Sequence, residues 1–143
     1  MCMVLSFMFV GCGNKEYSLS QEDYDSVKMN VNSLKNSQNE RINNVLNTSS
    51  ISSLDKEKET LNGVSLMYNA MVKENLSGEG VILIYEKLQK AYMYIDMMAD
   101  FKKLIVENPD KEVKYSKSIQ EVKEKYDRNF NELEDIMSRI KVE

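Results

Sequence analysis

Three groups of side chains in this sequence carry usable chemistry. Cys12 ends an uncharged run in which Met3 to Val10 are nearly all apolar, and its immediate context is Phe9-Val10-Gly11-Cys12. A thiol is a strong nucleophile and an acceptor for covalent modification. Met67, Met71, Met93, Met97 and Met98 could offer soft thioether sulfur to Cu(I). Paired carboxylates stand at Asp96 and Asp100 and at Glu132-x-Glu134-Asp135, the residue type from which di-iron bundles are built. The chain contains no His. That removes imidazole acid/base chemistry, Ser-His-Asp and Cys-His nucleophiles and the His ligands of zinc or di-iron sites. Without His or a second free thiol the methionines are expected to fill core gaps. The acids are expected to face solvent, with Asp96 the one to inspect for burial. The tyrosines at 68, 92, 94, 115 and 126 read as half-buried rings with solvated hydroxyls. No catalytic residue, metal site or cofactor is expected, and the chain is read as not an enzyme.

That leaves Cys12. The apolar run before it is too short for the roughly 20 residues that cross a bilayer, but it has the length of a signal-peptide apolar region ended by small residues. Phe9-Val10-Gly11-Cys12 resembles the lipobox of bacterial lipoproteins, although Phe9 stands where that pattern favours Leu. No Lys or Arg precedes Lys15, so the basic residues of such a signal are expected upstream of Met1. The resemblance implies that the Cys12 thiol receives a diacylglyceryl group and that a peptidase removes 1–11. Cys12 then becomes the acylated amino terminus, carrying palmitate-like chains on the extracytoplasmic face of the cell membrane. Two or more acyl chains anchor stably where one does not. The division expected is signal peptide 1–11, lipidated Cys and tether 12–19, and a folded body 20–143. Cys2 lies in the segment to be removed, which leaves no thiol to pair with Cys12.

The elements of the body must position everything else. The full chain of 143 residues has a net charge of -4, 42% apolar and 29% charged residues, one Pro and five Gly. An acidic balance gives no general attraction to nucleic acid, and none is expected as a partner. Loop-like stretches at 47–53, 77–80 and 108–110 divide the body into four amphipathic segments. In the first, Tyr24, Val27, Val31, Leu34, Ile42, Val45 and Leu46 form a stripe that Gln38 and Arg41 interrupt. The second opens after Ser52 or Ser53, carries Leu54, Leu61, Val64, Tyr68, Met71 and Val72, and is expected to end at Gly78 in a left-handed conformation. The third alternates by three and four through Val81, Ile84, Leu88, Ala91, Ile95, Met98, Lys102 and Ile105. The fourth starts near Pro109 and bears Tyr115, Ile119, Val122, Tyr126, Leu133, Ile136 and Ile140. Its other face is charged, with Glu121–Lys125, Glu124–Arg128 and Asp135–Arg139 placed as i,i+4 pairs on a solvated surface. Four long segments and three short turns predict an all-α, antiparallel up-down-up-down four-helix bundle. A long three-helix bundle with a frayed first helix is the alternative.

The third segment has a second apolar row, Leu83, Tyr94, Met97, Phe101 and Leu104. Such a row either packs on a neighbouring helix or faces a partner. Tyr94, Met97, Phe101 and Leu104 are the candidate contacts for a protein or envelope partner, with self-association a further use of the same face. A small apolar ligand held between helices by Met and Tyr side chains is the alternative function.

Overall fold

The computed structural model describes residues 15–74 and 78–143. Cys12 and the segment 1–11 lie outside the described residues. Within them the chain is an all-α bundle of four long helices, α1 (Gln21–Asn47), α2 (Ile51–Lys73), α3 (Glu79–Glu107) and α4 (Glu112–Ser138). Two three-residue strands, β1 (Tyr17–Leu19) and β2 (Ile140–Val142), close its base.

Local chemistry sets the helix ends. Ser20 accepts the Asp23 amide at 3.1 Å and Ser50 accepts the Ser53 amide at 3.2 Å, so each serine satisfies an otherwise orphaned donor. The second cap lies two or three residues before the position read from the sequence, and the turn from α1 shrinks to 48–50. Gly78 has φ 90° and ψ 157°, a conformation costly for any residue with a Cβ. Its positive φ is the one expected, but it opens α3 and does not close α2. Pro109 sits at the first position of a 3-10 turn, Pro109–Lys111, which leads into α4.

Cross-helix ion pairs fix the order. Arg41 meets Glu57 at 2.7 Å beside the α1–α2 turn, Asp55 meets Lys103 at 2.8 Å, and Lys35 meets Glu134 at 2.7 Å. Lys87 also pairs with Glu132. Three of these join an early residue of one helix to a late residue of another, so α1/α2, α2/α3 and α3/α4 are antiparallel; Lys35 lies mid-way along α1, and with Gln38 meeting Tyr126 further back on α4 the α1/α4 pair is antiparallel too. The bundle is flattened, however: α3 packs against all three other helices, and α1 approaches α3 more closely than it approaches α2 or α4. Ten α3 residues are buried, among them Ile84, Leu88, Ile95 and Met98, with Ala91 and Ala99 leaving room for close helix approach.

That geometry explains the interrupted stripe of α1. Its apolar residues Val27, Val31, Leu34, Ile42 and Val45 are buried. The polar residues between them receive hydroxyls from the other helices. Tyr85 pairs with Ser26 at 3.2 Å, Tyr68 donates to the Asn30 side-chain carbonyl at 3.0 Å, and Tyr126 donates to Gln38. Tyr68, Tyr85, Tyr92 and Tyr126 are all almost completely buried. Tyr68, Tyr92 and Tyr126 are therefore core residues where the sequence suggested half-buried rings with solvated hydroxyls, Tyr85 joins them, and Tyr94 and Tyr115 are half-buried as expected.

Candidate functional site

The N-terminal entry is a built feature. Residues 17–19, expected to be tether, form β1 and pair in parallel with β2, in the register Tyr17↔Ile140, Ser18↔Lys141 and Leu19↔Val142. Ile140, expected on the helical stripe, belongs to this pairing because α4 ends at Ser138. Leu19 is 4% exposed and joins the core. Gly80 permits the docking, since a Cβ there would lie 3.0 Å from Tyr17 Cβ and 3.2 Å from its Cγ. Lys15 to Glu79 and Lys141 to Glu16, both at 2.5 Å, flank the clamp. Five residue steps separate Cys12 from Tyr17, so whatever their conformation they reach at most about 18 Å.

The second face of α3 divides. Phe101 stacks on Tyr115 of α4 with centroids 6.3 Å apart and planes at 28°. Tyr94 and Leu104 are half-buried, and Tyr94 lies in the groove between α3 and α4. Met97 is 36% exposed and Met93, one turn earlier, 46%. Phe101 and Tyr94 pack against the core, while Met93 and Met97 remain on the surface of the most enclosed helix. Met98 is fully buried, so adjacent sulfurs on α3 point to opposite environments.

Asp96 is half-buried and shares Lys58 with Asp100, at 3.0 and 2.7 Å. Burial opposes the charge on Lys58, but hydrogen bonds to Asp100 and Asp96 outweigh it and raise its pKa. The acid expected to be notable is therefore half of a structural staple between α2 and α3.

Grooves open along the surface. One of about 460 Å³ between α1 and α2 is lined by Asn43, Asn44, Asn47 and Glu57. Another of about 490 Å³ between α1 and α4 is lined by Gln38, Asn39, Asn43, Asp127 and Asn131. A further one, of about 160 Å³ between α3 and α4, brings together Lys87, Lys90, Lys125 and Arg128 with Tyr94, Asn129 and Glu132. On α4 the expected Asp135–Arg139 pair forms at 2.6 Å and Lys123–Asp127 forms at 3.1 Å. Among the described residues, neither Glu121–Lys125 nor Glu124–Arg128 closes as an ion pair; Glu124 instead accepts from Gln120 at 3.2 Å. Spacing along α4 alone makes these cations look neutralised on their own helix. The signal that points to the groove is the i, i+3 spacing of bases on two helices, Lys87/Lys90 and Lys125/Arg128.

No family model, characterised protein or solved structure matches this chain.

Proposed function

We propose that the chain is a lipid-anchored, extracytoplasmic helical module that works by binding another protein or envelope component. The observation that carries the binding role is the exposed apolar strip of Met93 and Met97 on α3, the helix otherwise enclosed by the other three. An apolar strip in that position costs solvation unless something covers it. Phe9-Val10-Gly11-Cys12 supports the anchor, and so does the clamp at the base, which brings the body to within about 18 Å of an acylated Cys12. No helix among the described residues is long and apolar enough to cross a membrane, so attachment would rest on the acyl chains. The mechanism is positioning: the anchor restricts the module to the membrane surface, and the effective concentration of a neighbouring partner rises accordingly.

Two measurements test the proposal. Cys12→Ala is expected to abolish acylation and move the protein from the membrane pellet to the soluble fraction. Unchanged pelleting of that variant would remove the anchor. Met93→Asp with Met97→Asp changes exposed positions, so helicity and melting temperature are expected to stay within a few degrees of wild type. Crosslinking in the native cell should then recover at least tenfold less of whatever the wild type captures. Full capture by a normally folded double variant would take the binding role away from this strip.

A further inference from the structure

The α3–α4 groove departs from the rest of the molecule in charge. Lys87, Lys90 and Tyr94 stand at i, i+3 and i+7 on α3, opposite Glu132, Arg128 and Lys125 at the same spacing, run backwards, on α4. The antiparallel helices place Lys87 against Glu132 and leave the other cations to line the channel. Four cations therefore face one carboxylate in a chain whose net charge is -4. Among the described residues, no carboxylate lies within ion-pair distance of Lys90, Lys125 or Arg128. Lys87 is bound on its carboxylate, with a side chain only 16% exposed, and Asn129, 5% exposed, donates to the Lys87 carbonyl at 2.8 Å. The floor is thus fixed by a hydrogen-bonded pair, and the walls carry unmatched charge. The Lys87 hydrogen bond holds the Glu132 carboxyl below its usual range, and Arg128 and Lys90 add to the effect through space. All three cations consequently act on one small volume.

We infer that this groove is a binding site for a single phosphate group, borne by a small phosphate ester or by a phospholipid headgroup. At about 160 Å³ it is the smallest of the grooves described, matched to one phosphoryl group rather than to a large anion. A phosphate offers several acceptor oxygens and up to two charges. Arg128 supplies a planar fork suited to two of those oxygens, and the two free ammonium groups supply mobile point charges. A polyanion such as nucleic acid needs an extended basic track, and the acidic remainder of this surface would repel one. The site goes beyond the proposed partner-binding role and depends neither on the Met strip nor on acylation.

The test uses the full chain carrying Cys12→Ala, so that its result is independent of the anchor. In about 150 mM salt, glycerol 3-phosphate followed by amide NMR is expected to bind with a Kd below about 1 mM, a modest affinity for a solvent-open site. Shifts should be confined to residues around Lys87–Tyr94 and Lys125–Glu132. Arg128→Gln should weaken binding at least tenfold and Lys90→Gln about threefold. Lys117→Gln, an exposed change elsewhere on α4, should leave it unaltered. Flotation with phosphatidylglycerol vesicles, compared with phosphatidylcholine vesicles, identifies the source. Flotation lost in Arg128→Gln means a headgroup, and ester binding without flotation means a soluble ester. Two results would overturn the site: neither glycerol 3-phosphate at about 10 mM nor vesicles binding at all, or Lys117→Gln weakening binding as much as Arg128→Gln.

Discussion

Leu88→Ala is expected to cost about 3–5 kcal/mol, the upper part of the range for deleting a buried leucine. It should lower the thermal midpoint by roughly 10–20 °C in a domain of this size. Leu88 is fully buried in the first half of α3, the helix walled by α1, α2 and α4 together. The cost of such a deletion has two parts, the lost transfer energy of the side chain and the cavity left behind. The second depends on how far the surroundings can collapse. Around Leu88 three helices would have to move inward at once, so the void persists. Leu54 is equally buried, at 1% exposed, yet it lines the groove between α1 and α2 beside their turn. There water can enter and the first turn of α2 can shift, which limits Leu54→Ala to about 2–3 kcal/mol. Denaturant unfolding of the two variants, with equal m-values, decides the matter. A Leu54→Ala loss equal to or larger than that of Leu88→Ala would mean that α3 is not the centre of the molecule.

That central role is half visible in the amino-acid sequence. The three-and-four spacing from Val81 to Met98 marks α3 as a long packed helix, and its second row, with Tyr94 and Phe101, shows that it has more than one apolar face. The four-helix, up-and-down order follows from segment lengths and short turns. Sequence spacing does not, however, say which diagonal of a bundle is short. The close approach of α1 to α3 comes with polar residues of α1 meeting tyrosines from three different helices, a set of long-range pairings with no periodic signature. Gln38 looks like a defect in an apolar stripe because its partner, Tyr126, is 88 residues away.

The ends of the body are hard to read for a related reason. Residues 17–19 and 140–142 are too short to show strand periodicity, and each becomes a strand only by having the other as a neighbour. The base clamp needs Gly80 as well, and that glycine lies two residues from Gly78, whose positive φ gives the local composition a sufficient explanation. The α3–α4 groove is hidden by the habit of pairing charges along one helix. Glu121 and Glu124 lie at the right spacing for Lys125 and Arg128, but an i,i+4 pair on an exposed helix contributes only about 0.3–0.5 kcal/mol. So weak a preference does not determine where a long side chain goes, and across-helix geometry decides it.

The tyrosine contacts to α1 lead to the second large effect, unfolding in alkali. Burial raises the pKa of Tyr68, Tyr92 and Tyr126 above the ordinary phenol value. Below about pH 10 both folded and unfolded chains keep these protons, and pH has no leverage through them. Above it the unfolded chain releases protons that the folded chain retains, so stability falls as pH rises, by about 1.4 kcal/mol per pH unit for each tyrosine until its folded pKa is reached. Three such groups lower stability by about 4 kcal/mol per pH unit. Lys58 acts in the same direction. Its raised pKa contributes stability that is complete below the unfolded lysine value and is lost as pH climbs through the folded one. Against a total of about 5–15 kcal/mol, cooperative unfolding is expected to set in above about pH 11. Near-ultraviolet absorbance of the three phenolates should appear together with loss of helical circular dichroism. Tyr68 and Tyr126 donate to side-chain carbonyls of α1, and a phenolate cannot donate, so α1 is the helix that should detach first in amide exchange. Tyr68→Phe combined with Tyr126→Phe removes two of the three ionisations and should flatten the dependence on pH above about 10 to roughly a third of its tyrosine part, even though the double variant starts less stable at neutral pH. If all eight tyrosines ionised near pH 10 with the helices intact, these hydroxyls could not be buried against α1, and the short diagonal of the bundle would have to lie elsewhere.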